Sequence, residues 1–206
     1  VHAMKRAYRL IAPVALALVS ACSIFPKAEP SDVYRLASAQ TTSRATPVTW
    51  SLRVNKPQTS EFLDSPRIAV VPNGDLISSY ASSRWSDPAP VLLRNRFMDG
   101  FQRDGRVTLL STDDTNLQAD YELGGQLQAF QSEYRGNALE VVIRLDARLV
   151  RGRDQRIVAS RRFEIRQPVS DTKVPAVVTG FGQAGDQLNK QVVDWVVAQG
   201  NSASKG

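Results

Sequence analysis

The sequence predicts an α/β fold of two or three layers, a sandwich in which two main helices pack on one sheet. Three runs between residues 121 and 165 alternate apolar and polar residues, as half-buried strands do. Two further segments, which begin near residues 89 and 174, carry apolar residues at the spacing of a helix with one buried face. Together these patterns predict a long antiparallel meander covered by helices.

The start of the chain has the three-part pattern of a bacterial export signal. Basic residues precede an apolar stretch at 10–19, and small residues lead to Cys22. This stretch is shorter than the roughly 20 residues that span a bilayer. The Val-Ser-Ala-Cys sequence ending at Cys22 resembles a lipobox, in which the thiol receives a diacylglyceryl group, the chain is cut before the cysteine, and the new amine is acylated. We therefore predict a signal peptide at 1–21 and lipidation of Cys22; a plain exported protein and an uncleaved N-terminal anchor are the alternatives.

Residues 22–32 form the predicted lipidated tether, because this polar, proline-containing segment is typical of neither a helix nor a strand. Ten residues reach at most about 35 Å when fully extended, so the folded domain would stay close to its membrane. Ser23 resembles the outer-membrane address of Gram-negative lipoproteins. The predicted location is therefore the periplasmic face of the outer membrane rather than the inner membrane. Whether translation starts at Val1 or Met4 stays open.

Composition restricts the chemistry of the mature chain. Removing residues 1–21 removes three basic residues and no acidic one, so the net charge falls from +6 to +3. This small excess, without a basic and aromatic cluster, predicts no nucleic-acid partner. Cys22 is the only cysteine and His2 the only histidine, which excludes an internal disulfide, a Cys/His zinc site, a Ser-His-Asp triad and a Cys-His dyad. We predict no enzymatic activity and no cofactor; an envelope hydrolase that uses carboxylates alone is a disfavoured alternative.

The first half of the mature chain predicts four strands and one helix. The strands are expected at 33–36, 48–54, 66–72 and 76–85, the last as a short strand or an extended loop. Ser86 or Asp87 is expected to cap a helix that has Pro88 in its first position and ends at Gly105. The apolar stripe of this helix leaves four polar side chains on the side predicted to face water: Arg94, Arg96, Gln102 and Arg103.

The second half predicts a strand at 106–111, the meander, and a long helix. Turns of the meander are expected near Gly136 and Gly152, and its polar face should be wet or lie against a hydrophilic partner. The helix is predicted over 174–199, with close approach to the sheet at three glycines: Gly180, Gly182 and Gly185. Residues 201–206 are expected to be a frayed tail, so one domain covers residues 33–200.

A series of motifs along the chain resembles a known family. The motifs are Tyr34-x-Leu36, Ser65-Pro66-Arg67-Ile68-Ala69-Val70, Tyr80 four residues before Arg84-Trp85, Pro88, Leu92-Leu93, and Asp120-Tyr121-x-Leu123. With the lipobox, they resemble the ABC-type transport auxiliary lipoprotein family, the PqiC-like proteins of Mce-type lipid transport systems. The resemblance implies a mixed sheet with helices packed on it and no catalytic residues. It also implies association with an inner-membrane permease and ATPase and with a periplasmic Mce-domain protein that moves phospholipids between the membranes.

Tyr80, Arg84 and Trp85 are the candidate interface residues, because aromatic residues and arginine are enriched at binding hot spots. The favoured alternative places Tyr80 and Trp85 in the core and leaves Arg84 as a solvated charge.

Other polar groups also have a structural alternative. Four arginines of the meander could meet acidic headgroups or an acidic partner, but a cross-strand ladder with acids is favoured; the residues are Arg144, Arg148, Arg162 and Arg166, with Glu140, Asp146 and Glu164. Asp113 and Asp114 could suggest a metal, but two acids in a loop favour a turn. The glycines at 124–125 and 180–182 match no phosphate-binding loop. We therefore predict no metal site and no cofactor site.

These observations favour a non-enzymatic accessory subunit that docks the periplasmic part of a lipid transporter at the outer membrane. Its partners would be the membrane, through the acyl chains, and an Mce-domain protein. A homo-oligomeric ring would suit such docking, although the sequence does not show one. The alternative function is a lipoprotein regulator that binds a cell-wall synthase or another envelope enzyme, a class that shares lipidation, a short tether and a small α/β domain.

Overall fold

Eight strands and two helices make up the computed structural model, which describes residues 30–37, 46–115 and 117–205. In chain order they are β1 (Asp32–Tyr34), β2 (Leu52–Val54), β3 (Arg67–Asn73), β4 (Leu76–Trp85), α1 (Ala89–Asp104), β5 (Leu110–Thr112), β6 (Tyr121–Arg135), β7 (Ala138–Arg151), β8 (Arg156–Pro168) and α2 (Val174–Ala203). The predicted signal peptide and most of the predicted tether lie outside the described residues.

One mixed sheet is built around β6, a strand of 15 residues. β7 pairs antiparallel with β6 along its whole length, and β8 pairs antiparallel with β7. The other edge of β6 is divided: its first residues pair parallel with β2, and residues 131–133 pair parallel with β3. β5 extends the sheet beyond β2, whereas β4 and then β1 extend it beyond β3. The predicted mixed sheet with a long antiparallel meander is therefore confirmed.

The helices supply the second layer. α2 packs against β7 and β8, and α1 packs against α2 and β2. Every residue of the predicted apolar stripe of α1 is buried: Ala89, Leu92, Leu93, Phe97 and Phe101. Removing these side chains from water stabilises the fold, at roughly 1.5–3 kcal/mol for each large apolar side chain. The predicted α/β sandwich is confirmed.

The helix ends differ in part from the prediction. Gly105 ends α1 in the left-handed conformation, with φ +74°, as expected. The start is one residue later than predicted, because Pro88 is the N-cap and neither Ser86 nor Asp87 caps the helix through its side chain. The Ser86 hydroxyl donates to the Asp87 carboxylate instead, at 2.9 Å.

α2 continues three residues into the segment predicted to be a tail. It begins at Val174 and ends at Ala203. The Trp50 indole Nε1 donates to the Asn201 side-chain oxygen at 3.0 Å, which ties this last turn to the body. Neither helix of the described residues combines the length and apolarity that a membrane-spanning helix needs.

Three predicted strands are shorter in the structure, and the first of them is β1, which was expected at 33–36 and covers residues 32–34. β2 covers only residues 52–54 and β5 only 110–112, although Trp50, Leu52 and Val54 are buried on one face as predicted. β2 is short because it pairs with only the first three residues of β6, and β5 is short because its partner is β2. β4 has the predicted bounds but forms one strand of ten residues rather than a short strand or an extended loop, because it forms an antiparallel hairpin with β3.

Candidate functional site

The predicted lipidation residue, Cys22, lies outside the described residues, but the structure describes where the tether enters the body. β1 begins at Asp32 and pairs parallel with the last part of β4, with Asp32 opposite Ser83 and Tyr34 opposite Trp85. The Ser86 amide donates to the Tyr34 carbonyl at 2.8 Å. The end of the tether is therefore fastened to the candidate interface strand.

Trp85 lies in the core and has no exposed surface. Its ring makes edge contacts with Phe130 at 6.0 Å and with Phe181 at 5.1 Å between ring centroids. Such aromatic pairs contribute about 0.5–1.5 kcal/mol each beyond their buried area. Because the side chain is enclosed, it offers no surface to a partner, and the core alternative describes it better than the interface prediction does.

Tyr80 is half-buried at the margin of the same core. Its hydroxyl lies 2.9 Å from the hydroxyl of Ser132, a residue with no exposed surface. Burial raises the pKa of the Tyr80 hydroxyl, although the hydrogen bond with Ser132 opposes this shift. Tyr80 therefore joins β4 to β6, and only part of its ring faces outward.

Arg84 is exposed and lies beside a second exposed arginine. It is directly opposite Arg67 on β3 and opposite Val33 on β1, so the three side chains share one face of the sheet. Val33 is 51% exposed, and the Arg67 guanidinium lies 5.4 Å from the centre of the Phe62 ring. We call Val33, Arg67 and Arg84 the arginine row.

No carboxylate of the described residues pairs with the arginine row. Fifteen ion-pair contacts occur in this part of the chain, and neither Arg67 nor Arg84 takes part in one. Like charges directly opposite each other destabilise a strand pair. An acidic group bound at the arginine row would therefore relieve the repulsion between Arg67 and Arg84.

The arginines of the meander behave differently, because acids neutralise most of them. Arg144 pairs with Glu164 at 2.9 Å, Arg162 with Asp146, and Arg166 with Glu140 at 2.8 Å. The hydrogen bond from Arg144, helped by Arg166, lowers the pKa of Glu164 to about 2. Arg148 is exposed and has no ion-pair partner among the described residues. The ladder alternative is thus confirmed for the other three arginines.

Arg96 is a buried charged residue at the interface of the two helices. It was expected to face water, but only 3% of it is exposed. Its guanidinium donates to the carbonyl of Gly182 at 2.8 Å, to the carboxylate of Asp186, and to the carbonyl of Ala37. Burial lowers the pKa of Arg96, and Asp186 opposes that shift. The group therefore joins α1, α2 and the segment that follows β1.

Glycines in α2 make room for this arrangement. A β-carbon at position 185 would lie 2.8 Å from Nε of Arg96, and one at position 180 would lie 3.2 Å from Val141 on β7. The predicted close approach of helix to sheet is therefore confirmed at Gly180 and is wrong at the other two glycines. Gly185 approaches the Arg96 side chain, and a β-carbon at position 182 would meet nothing closer than the Ala37 carbonyl oxygen at 3.5 Å. The sequence carries no local signal for the burial of Arg96, because the glycine that makes room for it lies on the other helix.

Arg94 is the second arginine of α1 that was expected to face water and is buried. It pairs with Asp113 at 2.8 Å and with Asp114 at 2.7 Å. Burial raises the pKa of Asp113, but hydrogen bonds from Arg94 and from the Lys56 amide outweigh it, so the pKa is lowered overall. These two acids fasten a loop to α1, and no cluster of three or more metal-ligand side chains occurs in the described residues.

Comparisons with known proteins agree with this architecture. The family model described as the ABC-type transport auxiliary lipoprotein component matches residues 34–193. The protein bll6063 of Bradyrhizobium diazoefficiens is 30% identical over 148 residues, which cover 71% of this chain and 39% of that protein. The chain thus spans about two fifths of the length of this relative.

Solved structures share the fold. The crystal structure of protein XCC0632 from Xanthomonas campestris is 31% identical, has a TM-score of 0.80, and is matched over 85% of this chain and 100% of its own. A crystal structure of an uncharacterized protein, 15% identical, has a TM-score of 0.61 and is matched over 82% of this chain and 99% of its own. Since the family model covers most of the body from β1 to α2, the chain belongs to the family of ABC-type transport auxiliary lipoprotein components.

Proposed function

We propose that the chain is a non-enzymatic accessory subunit of an Mce-type ABC transport system for phospholipids. Acyl chains on Cys22 hold it at the periplasmic face of the outer membrane, and its body docks the periplasmic Mce-domain protein there. The observation that carries this proposal is the match of residues 34–193 to the transport auxiliary lipoprotein family. The export signal and the Val-Ser-Ala-Cys sequence ending at Cys22 support the anchoring.

The mechanism is positional. A single acyl chain binds a membrane only marginally, whereas two or more anchor a protein stably. Once two partners are held near each other, the effective concentration of one about the other reaches roughly the millimolar range. A weak contact between body and partner is then sufficient, and a small exposed surface can supply it.

The arginine row is the surface that we assign to this contact. Arg67 and Arg84 are exposed, unpaired among the described residues, and adjacent, and Val33 adds exposed apolar area beside them. Arginine is suited to interfaces because its planar fork binds carboxylates in bidentate fashion. The row therefore fits an acidic surface on the Mce-domain protein.

The anchoring is tested by replacing Cys22. We expect Cys22→Ala to abolish membrane association while the body stays folded, because the variant has no thiol to acylate. Fractionation of envelopes with the native and variant chains measures the difference, and circular dichroism checks folding. A variant that fractionates like the native chain would refute the anchoring.

The docking surface is tested with a charge-reversal pair. We expect Arg67→Glu combined with Arg84→Glu to weaken binding to the Mce-domain protein at least about tenfold, because favourable charge pairs become repulsive. Arg148→Glu combined with Arg153→Glu is the matched control, because it makes the same change in net charge at two exposed arginines that form no ion pair among the described residues. Equal loss in both variants would assign the effect to net charge alone. Co-purification of a cell-wall synthase instead of an Mce-domain protein would favour the regulator alternative.

A further inference from the structure

The two ends of the sheet, taken along the direction of its long strands, have different turns. β3 and β6 run parallel, with Val71 opposite Glu133, so the β3–β4 turn and the β6–β7 turn project at the same end. β8 also finishes there, since Pro168 lies opposite Glu140, and only five residues separate the end of β8 from the start of α2. We call this the hairpin end. The β7–β8 turn and the start of β6 lie at the opposite end.

Exposed apolar side chains occur at the hairpin end. Leu76 is 62% exposed and Ile77 is 38% exposed, at the first two positions of β4 after the turn. Arg135 and Lys173 are exposed at the same end, together with the acids Asp75 and Asp171. Because the charges are balanced, any attraction of this end to a membrane would come mainly from the apolar side chains.

Exposure alone does not distinguish the two ends. At the opposite end, Ile157 is 57% exposed and Leu117 is 59% exposed, and a groove of about 890 Å³ opens beside Trp50, Arg53 and Arg151. A second observation is therefore needed to say which end faces a lipid surface.

The direction of β1 supplies that observation. β1 is parallel to β4, and β4 runs away from its turn, so the chain enters β1 from the hairpin end. Cys22 precedes Asp32 by ten residues, which reach at most about 35 Å. β1 lies about six residues of β6 from the hairpin end and about eight from the opposite end, roughly 20 and 26 Å. Both distances are within reach of ten residues, so the direction in which the chain enters β1 is the observation that favours the hairpin end.

We propose that the hairpin end faces the membrane and that Leu76 and Ile77 insert into the interfacial layer of the lipid. The inference rests on the proposed acylation of Cys22. It assigns a lipid-contact surface to the body itself, and it leaves the groove at the opposite end facing away from the membrane.

The test uses the full acylated chain in vesicles of phosphatidylethanolamine and phosphatidylglycerol that contain a nitroxide-labelled lipid. Acylation blocks the only native thiol, so a single new cysteine carries a fluorescent probe. Leu76→Cys places the probe at the hairpin end, and Ile157→Cys places a matched, equally exposed probe at the opposite end. We expect at least about twofold quenching at position 76 and little at position 157, because nitroxide quenching requires close approach to lipid.

The outcomes separate the orientation from the anchoring. Flotation with the vesicles and quenching at position 157, or at neither position, overturns the orientation while the anchoring stands. A chain that folds but does not float overturns the anchoring, and the orientation with it. If Leu76→Cys does not fold, Asp75→Cys in the exposed turn reports on the same end, and its quenching is expected to match.

Discussion

The Arg96 guanidinium connects three parts of the chain that are far apart in sequence. It donates from α1 to the Gly182 carbonyl and the Asp186 carboxylate of α2, and to the Ala37 carbonyl just after β1. Only 2% of its side chain is exposed. A buried charge is tolerated where it is paired and hydrogen-bonded, so these acceptors explain how a charged residue is retained in the helix interface.

Loss of this side chain should destabilise the fold strongly. We expect Arg96→Ala to lower the free energy of unfolding by about 2–4 kcal/mol, because buried acceptors lose their donors and a packed side chain is removed. Arg96→Lys should recover only part of the loss, since an ammonium lacks the planar fork. Urea unfolding measures both variants.

The control for this prediction is an exposed arginine. Arg148→Ala removes a side chain that makes no ion pair among the described residues, and surface changes of this kind stay within about 0.5 kcal/mol. If Arg96→Ala unfolds at the same urea concentration as Arg148→Ala, the three-way connection contributes nothing to stability.

At the scale of elements, hydrophobic periodicity predicts those features that depend on one buried face of a strand or helix. The strands of the meander and the stripe of α1 were predictable because each buries one regular face. The burial of Arg94 and Arg96 was not, because the apolar stripe describes only the main core contact of α1. The opposite side is covered by α2 and by the loop that carries Asp113, and neither neighbour is visible in the local pattern.

For β4, the sequence predicts the bounds but leaves a short strand and an extended loop as alternatives, for a related reason. Its sequence from Leu76 to Ser83 is rich in serine and lacks a clean alternation, because much of the strand lies at the margin of the sheet and is exposed. The candidate interface residues fell on this strand, and the sequence could not separate them. Trp85 points into the core while its neighbour Arg84 points out. This alternation separates a core residue from a surface residue only once the segment is known to be a strand.

Two glycines of α2 give opposite expectations for the same substitution. A β-carbon at position 200 would lie 2.5 Å from the Trp50 ring, whereas one at position 182 would meet nothing closer than 3.5 Å. We expect Gly182→Ala to stabilise the fold by up to about 1 kcal/mol through helix propensity. Gly200→Ala should destabilise it by about 1–3 kcal/mol through overpacking. Thermal unfolding measures both, and equal effects would contradict the close approach.

The ion-pair ladder of the meander should make the free energy of unfolding depend on pH. The pKa of Glu164 is lowered from 4.5 to about 2 by Arg144 and Arg166. A lowered carboxyl pKa stabilises the folded state above the pKa of the unfolded chain, and this contribution is lost as the pH falls from about 4.5 to about 2. The group is partly exposed, so each pair contributes under about 1 kcal/mol.

Glu164→Gln tests this dependence. We expect the variant to be less stable than the native chain at pH 6, with the difference shrinking toward pH 2 as the native carboxyl becomes protonated. Urea unfolding across this pH range measures the effect. Glu61→Gln, at an exposed loop position without an ion pair in the described residues, is the control and should change little. A difference that stays constant with pH would exclude the ladder as its source.

At the scale of the whole molecule, the tether, the arginine row and the hairpin end form one arrangement. The chain enters β1 from the hairpin end, and β1 places Val33 directly beside Arg84. The residue that follows the tether into the sheet is thus part of the proposed docking surface. In the proposed mechanism, the anchor fixes both where the body is and how close its docking surface lies to the membrane.

A longer tether should weaken docking without disturbing either contact. If 15 Gly-Ser residues are inserted between Lys27 and Ala28, the span from Cys22 to Asp32 grows from ten residues to 25. Effective concentration falls as roughly the −3/2 power of length, which predicts about fourfold less capture of the Mce-domain protein. Flotation with vesicles and the affinity of the isolated contact should stay the same, because the acyl group and the arginine row are unchanged. Crosslinking yield in native envelopes measures capture. Complete loss of capture would show that rigid orientation is required, whereas unchanged capture would show that proximity set by the tether contributes nothing.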